Sequence, residues 1–437
     1  MTINLIKKVS QSLGEDVESL EKRIKSFELY KGLPLEPSPL YAKYVDAKIA
    51  EIDLNTLWDT DKTIEWDLPS KLGQILYNGR LIGKRESTDV KLQTLQEAKD
   101  GLNSLNHSFL DPRENRFTAL IQALYSSGHI LVIPRDTVVK EPIHLVTLVD
   151  RSNILRNIIM VGEGAQAKVV QEIYSPNQVE KNTFHAYSNE ILLEEGALLQ
   201  MTTVQAADQS SKIFNTTKTI LKKGSNLDFA TTYLGGLLHI GRVEHRLVEE
   251  GATAKDTHIA LLTSNQVLDL TTNLLHQAPK TNGSILTKVA LKDSSKALTK
   301  GMIRIPLEGK QSNAYLAQHA IMLNAGASGI TIPGLEILTN DVKATHASSI
   351  SQLDEEQIFY LMSKGLSREN AVKMVTLGFF EHALTRLNQS SVREGLRQML
   401  EDKWQGRVAI FKPIEQEDVS FEDVEKRDMF EGHYKYR

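Results

Sequence analysis

Residues 193–252 read LEEGALLQMTTVQAADQSSKIFNTTKTILKKGSNLDFATTYLGGLLHIGRVEHRLVEEGA. One local pattern, apolar-x-x-Gly-[Ala/Ser], punctuates this stretch three times, as LEEGA at Gly196, LKKGS at Gly224 and VEEGA at Gly251. Between these points the chain is rich in Val, Ile, Thr and Leu, the composition of strands. The step from Gly196 to Gly224 is 28 and that from Gly224 to Gly251 is 27. Upstream, VGEGA carries Gly164, a step of 32 before Gly196. Downstream, a weaker copy, LEGK, holds Gly309, a step of 58 (two such periods) after Gly251, and LNAGA holds Gly326. A period near 29 sustained over this length is the signature of a solenoid. Glycine suits a tight corner because it adopts positive φ without steric cost. The charged pairs just before it (Glu194-Glu195, Lys222-Lys223, Glu249-Glu250) suit solvated turns better than paired catalytic carboxylates.

The pattern predicts a parallel β-helix, in which each coil buries its inner face only by stacking on the next. The competing architecture, an antiparallel sandwich, calls for turn signals every ~8–12 residues and two-residue Asn-Gly or Asp-Gly hairpins. Between residues 129 and 350 only Asn282-Gly283 is such a dipeptide.

Outward from this core the pattern changes. Residues 1–127 read as an N-terminal helical region, with Leu5, Ile6, Val9 and Leu13, then Val17, Leu20 and Ile24, at helical spacing. The β-helix core spans 128–350 and a C-terminal helical domain 351–437. In that domain Asp354 is placed to cap a helix, with Leu353 and Ile358 as its hydrophobic staple. Ser367 caps a second helix, and a third covers Val392 to Trp404. Gly378, inside the second, costs about 1 kcal/mol relative to Ala, which predicts close packing there. The tail from Pro413 is acid-rich and weakly patterned, the composition of a disordered segment.

Composition narrows function by exclusion. The chain has 437 residues, 41% hydrophobic and 24% charged, with a net charge of −4, which gives no reason to expect nucleic acid. It has no cysteine, so it offers no disulfide, thiolate nucleophile or cysteine ligand. No apolar run reaches the ~20 residues of a membrane span, and the opening residues lack a secretion signal's apolar stretch, so a cytoplasmic location is expected. No GxxxxGK[ST], HExxH or GxSxG motif occurs, so ATP hydrolysis and the common hydrolase chemistries are not expected.

Among candidate ligands, His346 lies at the junction of the last strand-like segment with the capped helices. His319 lies upstream by a step of 27 (319 to 346), a spacing that could stack the two on neighbouring coils. Neutral imidazole is a good iron ligand. His276 stands in NLLHQAP. His239, His245 and His258 lack a carboxylate pattern that would make them a metal cluster, and read as core or surface residues.

Four segments together resemble the SufB/SufD family of iron–sulfur cluster assembly proteins: FTALIQALYSSGHILVIPRDTVVKEPIHLV from Phe117, RNIIMVGEGAQAKVVQEIY from Arg156, NLLHQAP from Asn273 and VKATHASSISQLDEEQIFYLMSKGLSRENA from Val342. The regions 1–110 and 408–437 match poorly. The resemblance implies a right-handed parallel β-helix flanked by helical regions. It implies docking of the C-terminal helices on SufC, an ABC-type ATPase, and pairing of β-helix ends, SufB with SufD or as a homodimer. Glu355, Ile358, Phe359, Leu361, Phe379 and Phe380 are then candidates for the SufC-docking face. The implied cargo is iron or a transient iron–sulfur cluster at a subunit interface, with no tightly bound cofactor.

SufB-type scaffolds carry a Gln-Cys-Asp segment and an acidic-His-acidic run. Here the matching segments read Ala317-Gln318-His319-Ala320 and Ala344-Thr345-His346-Ala347. The cysteine position holds His319, and both acidic positions are gone. The chain therefore resembles the SufD branch, departing from it in having Ala344 where a cysteine is common. The expectation is a non-enzymatic, SufD-like subunit that supports cluster assembly and iron delivery, with His346 and His319 as metal or cluster-interface candidates. Two alternatives stand beside it, a SufB-like scaffold using histidine ligands and a β-helix carbohydrate-active enzyme. The latter calls for clustered Asp, Arg or Lys on one exposed coil face.

Overall fold

The structure, a computed structural model, describes residues 2–407 apart from 37, 39–40, 42–49, 55–56, 58–63, 99–108, 177–178 and 180–182. The acid-rich tail therefore lies outside the described residues.

The chain opens with α1 (Thr2–Ser12) and α2 (Val17–Gly32). Asp16 caps α2, its side chain accepting from the Ser19 amide. Three strands follow, β1 (Gly73–Tyr77), β2 (Arg80–Arg85) and β3 (Lys91–Thr94), and then α3 (Arg116–Leu124). The expectation of a helical region over 1–127 is thus corrected for residues 73–94. The missed signal is Asn78-Gly79, whose positive φ values of 47° and 85° turn β1 into β2 as a hairpin.

Sixteen further strands, from β4 (His129–Ile133) and β5 (Ile143–Leu148) to β19 (Val342–Gln352), form the core. Odd-numbered strands stack in one sheet and even-numbered strands in the other, all parallel, so each coil contributes two strands and there are eight coils. The fold is a parallel β-helix. Asn282-Gly283, the one hairpin-like dipeptide, lies inside a strand that pairs in parallel on both sides.

The corners explain the period. Gly164, Gly196, Gly224 and Gly251 have φ between 61° and 75°. The Gly196 amide donates to the Lys223 carbonyl of the next coil at 2.9 Å, and the Gly224 amide to the Glu250 carbonyl at 3.0 Å. Downstream the same corner is made by Lys280 and Gln311, at φ 56° and 60°, so Gly309 and Gly326 do not continue the positive-φ series. Gly309 is required for closeness instead: a Cβ there would lie 2.7 Å from the His276 carbonyl oxygen. The charged corner pairs are solvated and join coil to coil, as in Lys223–Glu195 and Lys280–Glu250, both 2.7 Å. Such exposed pairs add at most about 1 kcal/mol each.

The lumen is packed with apolar side chains, among them Val169, Met201, Phe229, Ile285 and Leu316. The outer face of the even-numbered sheet is covered by α2 and α3, with Phe117 stacked on Phe214. The C-terminal helices are α4 (Glu355–Ser363), α5 (Arg368–Leu384) and α6 (Ser390–Trp404); α5 and α6 cover the outer face of the odd-numbered sheet, and α4 packs on α5. Phe380, Leu384, Leu396 and Met399 bury this joint. Gly378 departs from expectation: nothing lies within 4 Å of where its Cβ would stand, so it packs against nothing among the described residues.

Candidate subunit interface and docking surface

The last coil is built from β18 (Ser328–Ile337) and β19, which pair with β16 (Lys296–Ile305) and β17 (Ser312–Met322) on one side only. No residue of either strand is fully buried. Ile337, Leu338 and Ile350 are large, apolar and exposed. The side chains of β19 are mostly small and neutral, Lys343 and His346 being its only basic residues.

His346 is in register with Leu316, a lumen residue. Its neighbours at even spacing, Val342 and Ala344, pack on the lumen core. His346 thus continues an inner row across the open mouth of the tube, where it is exposed.

His319 is not stacked on it. The register partner of His319 on β19 is Ser349, and His346 pairs with Leu316 instead. The two histidines are therefore three positions out of register, on opposite faces of the sheet. His319 lies on the outer face, with Nδ1 2.7 Å from the Ser349 hydroxyl. Burial first, then the charges of Lys288 and His382, push its imidazole down to about 4.

The remaining histidines singled out in the sequence lie inside the protein. His276 is buried, with Nδ1 2.8 Å from the Thr281 hydroxyl. His258 and His245 both approach Asp256 inside the lumen, Nε2 to Oδ2 at 2.8 Å and 3.2 Å. Sequence reasoning missed Asp256, because its place opposite two imidazoles depends on strand register. The two histidines hold this carboxyl well below its usual range against the opposing effect of burial. Among the described residues no group of three His, Cys, Asp or Glu side chains is arranged to hold a metal ion.

The helical candidates divide by exposure. Ile358 and Phe380 have no exposed surface, so neither can touch a partner; both hold the helices in place. Phe379 is half-buried beneath α5, its ring 4.3 Å from the Lys288 ammonium. Leu361 is half-buried, and Glu355 makes two 2.8 Å hydrogen bonds with Arg368 that tie α4 to α5. Phe359 is 71% exposed, and Tyr360, Met362 and Met374 join it as exposed residues absent from the sequence-derived set. A helical period cannot separate such a face from a core face, since both are apolar.

A family model described as "SUF system FeS cluster assembly, SufBD core domain" matches residues 146–379, more than half of the chain. The chain belongs to the SufB/SufD family. It is similar to an iron–sulfur cluster assembly SufBD family protein of Staphylococcus saprophyticus, 27% identical over 61% of this chain and 58% of the relative. The corresponding proteins of Staphylococcus epidermidis and Staphylococcus aureus are 26% identical over 66% of this chain and 62% of theirs. The match thus spans about three fifths of these relatives' lengths. Among the described residues no helix is long and apolar enough to cross a membrane.

Proposed function

We propose that this SufBD-family chain is the SufD-like, non-catalytic subunit of an iron–sulfur cluster assembly machine. It pairs the open end of its β-helix with a SufB-like paralogue or a second copy, and it presents α4 and the start of α5 to a SufC-like ATPase. Iron or a nascent cluster is the cargo at the shared end, with His346 contributing an imidazole and the partner the thiolates. One observation carries this reading. Among the described residues nothing covers the solenoid end that carries His346, and that end is apolar in part and without a single cysteine, so it offers half of a cluster site at most.

The experiment is co-purification with SufC, using wild type and Phe359→Asp. The wild type is expected to form a stable complex and the variant to lose at least tenfold in affinity, because exposed aromatic anchors dominate interfaces. Undiminished binding by the variant would remove α4 from the docking surface.

A further inference from the structure

A second polar site lies on the outer face of the odd-numbered sheet, where α5 crosses the last coils. Lys288, on β15 (Asn282–Leu291), and His319, on β17, are register partners on adjacent strands, so their side chains stand side by side. From above, α5 brings the Phe379 ring to 4.3 Å from the Lys288 ammonium. One turn on, His382 adds its charge to the electrostatics felt by His319. From β19, the Ser349 hydroxyl sits 2.7 Å from His319 Nδ1. On the remaining side, β13 (Thr253–Leu262) faces Lys288 with Ile259, which has no charge.

Among the described residues, the neighbours so placed around Lys288 and His319 are basic, hydroxylic or apolar. No carboxylate contributes to the electrostatics of either Lys288 or His319. Burial alone acts on Lys288, pushing its ammonium down. A half-buried ammonium beside an aromatic ring and an imidazole has lost part of its water, so an acceptor brought to it there is favourable. A metal cation cannot fill this role, because Lys288 would repel it from the neighbouring imidazole. An anion satisfies both groups at once.

We propose that the surface between Lys288, His319 and His382 is a binding site for a small oxyanion, a phosphate or a carboxylate. The Lys288 ammonium and a ring N–H of His319 donate to its oxygens, with His382 adding charge at the rim. The site needs neither subunit pairing nor SufC, so it stands apart from the function proposed above. It also gives His319 a task different from metal ligation.

The test is an NMR titration of the full-length chain, labelled in its histidine rings, with inorganic phosphate and separately with acetate. The control is sodium chloride at matched ionic strength. Saturable shifts of the His319 and His382 rings with either oxyanion, well beyond the chloride response, are expected. Lys288→Met is expected to weaken binding at least tenfold, and Lys288→Arg to retain it. Shifts that follow ionic strength alone, or that persist unchanged in Lys288→Met, overturn the proposal. If Lys288→Met does not fold, His382→Gln takes its place: a severalfold loss is expected, and an unchanged titration counts against the site.

Discussion

The two ends of the solenoid are built on opposite plans. At the first, β1 and β3 bring antiparallel pairing to the stack, and the outermost strand, β2, carries Arg80, Lys84 and Arg85. Charged edges of this kind resist pairing with another chain. At the other end, β19 presents only two basic side chains, Lys343 and His346, and no acidic one. Beside it, β18 holds Pro333 and a single charged side chain, Glu336. The less protected edge is the one that the proposed pairing uses.

Three experiments bear on that contrast. The largest effect concerns acid. Burial holds the imidazoles of His129, His185 and His239 down to about 3, and these lie in the first, third and fifth of the eight coils. Their folded values lie below the unfolded value, so unfolding takes up protons. Stability is full above about pH 6.5 and falls as pH drops from there toward 3. By pH 5 each buried imidazole costs about 2 kcal/mol. Urea denaturation at pH 7 and pH 5 is expected to show the loss. Hydrogen exchange is expected to locate it chiefly in those three coils and not in the last coil, where His346 is exposed. Equal loosening of both ends would erase the difference.

Next is a comparison along one inner row. Leu316→Ala removes a fully buried lumen side chain, so a loss of about 2–5 kcal/mol is expected in denaturant unfolding. His346→Ala, one coil later in the same row, is expected to stay within about 0.5 kcal/mol, because the open mouth already exposes it. A large loss at His346 would mean that the last coil is closed within the single chain.

The smallest effect is on assembly. Ile350 and Leu81 are similarly exposed, at 42% and 38%, but lie at opposite ends. Ile350→Asp is expected to weaken pairing with a second copy or a SufB-like paralogue by about 2 kcal/mol, roughly thirtyfold, in analytical ultracentrifugation. Leu81→Asp is expected to leave it unchanged, and equal weakening by both would break the contrast.

Much of the fold is legible from local patterns. The glycine corners at 164, 196, 224 and 251 mark four coils, because a positive φ at a tight turn selects glycine. The series is harder to follow where Lys280 and Gln311 take the same conformation, since a side chain there costs energy without being forbidden. The capping of α4 by Asp354 is legible for the same local reason. Of the candidate site, His346 at the terminal strand is legible, whereas its separation from His319 is not.

By itself the sequence determined what depends on neighbours along the chain: strand or helix, the corner positions, the helix caps, and the absence of any thiolate. Tertiary structure decided what depends on addition over whole coils. The coil step is not constant: Phe229 pairs with Asp256, a step of 27, whereas Ile285 pairs with Leu316, a step of 31. A shift of one position flips a side chain to the other face. Only the stacked coils therefore show that Asp256 meets two histidines in the lumen, that His319 meets Lys288 outside it, and that Ile358 is buried while Phe359 is bare.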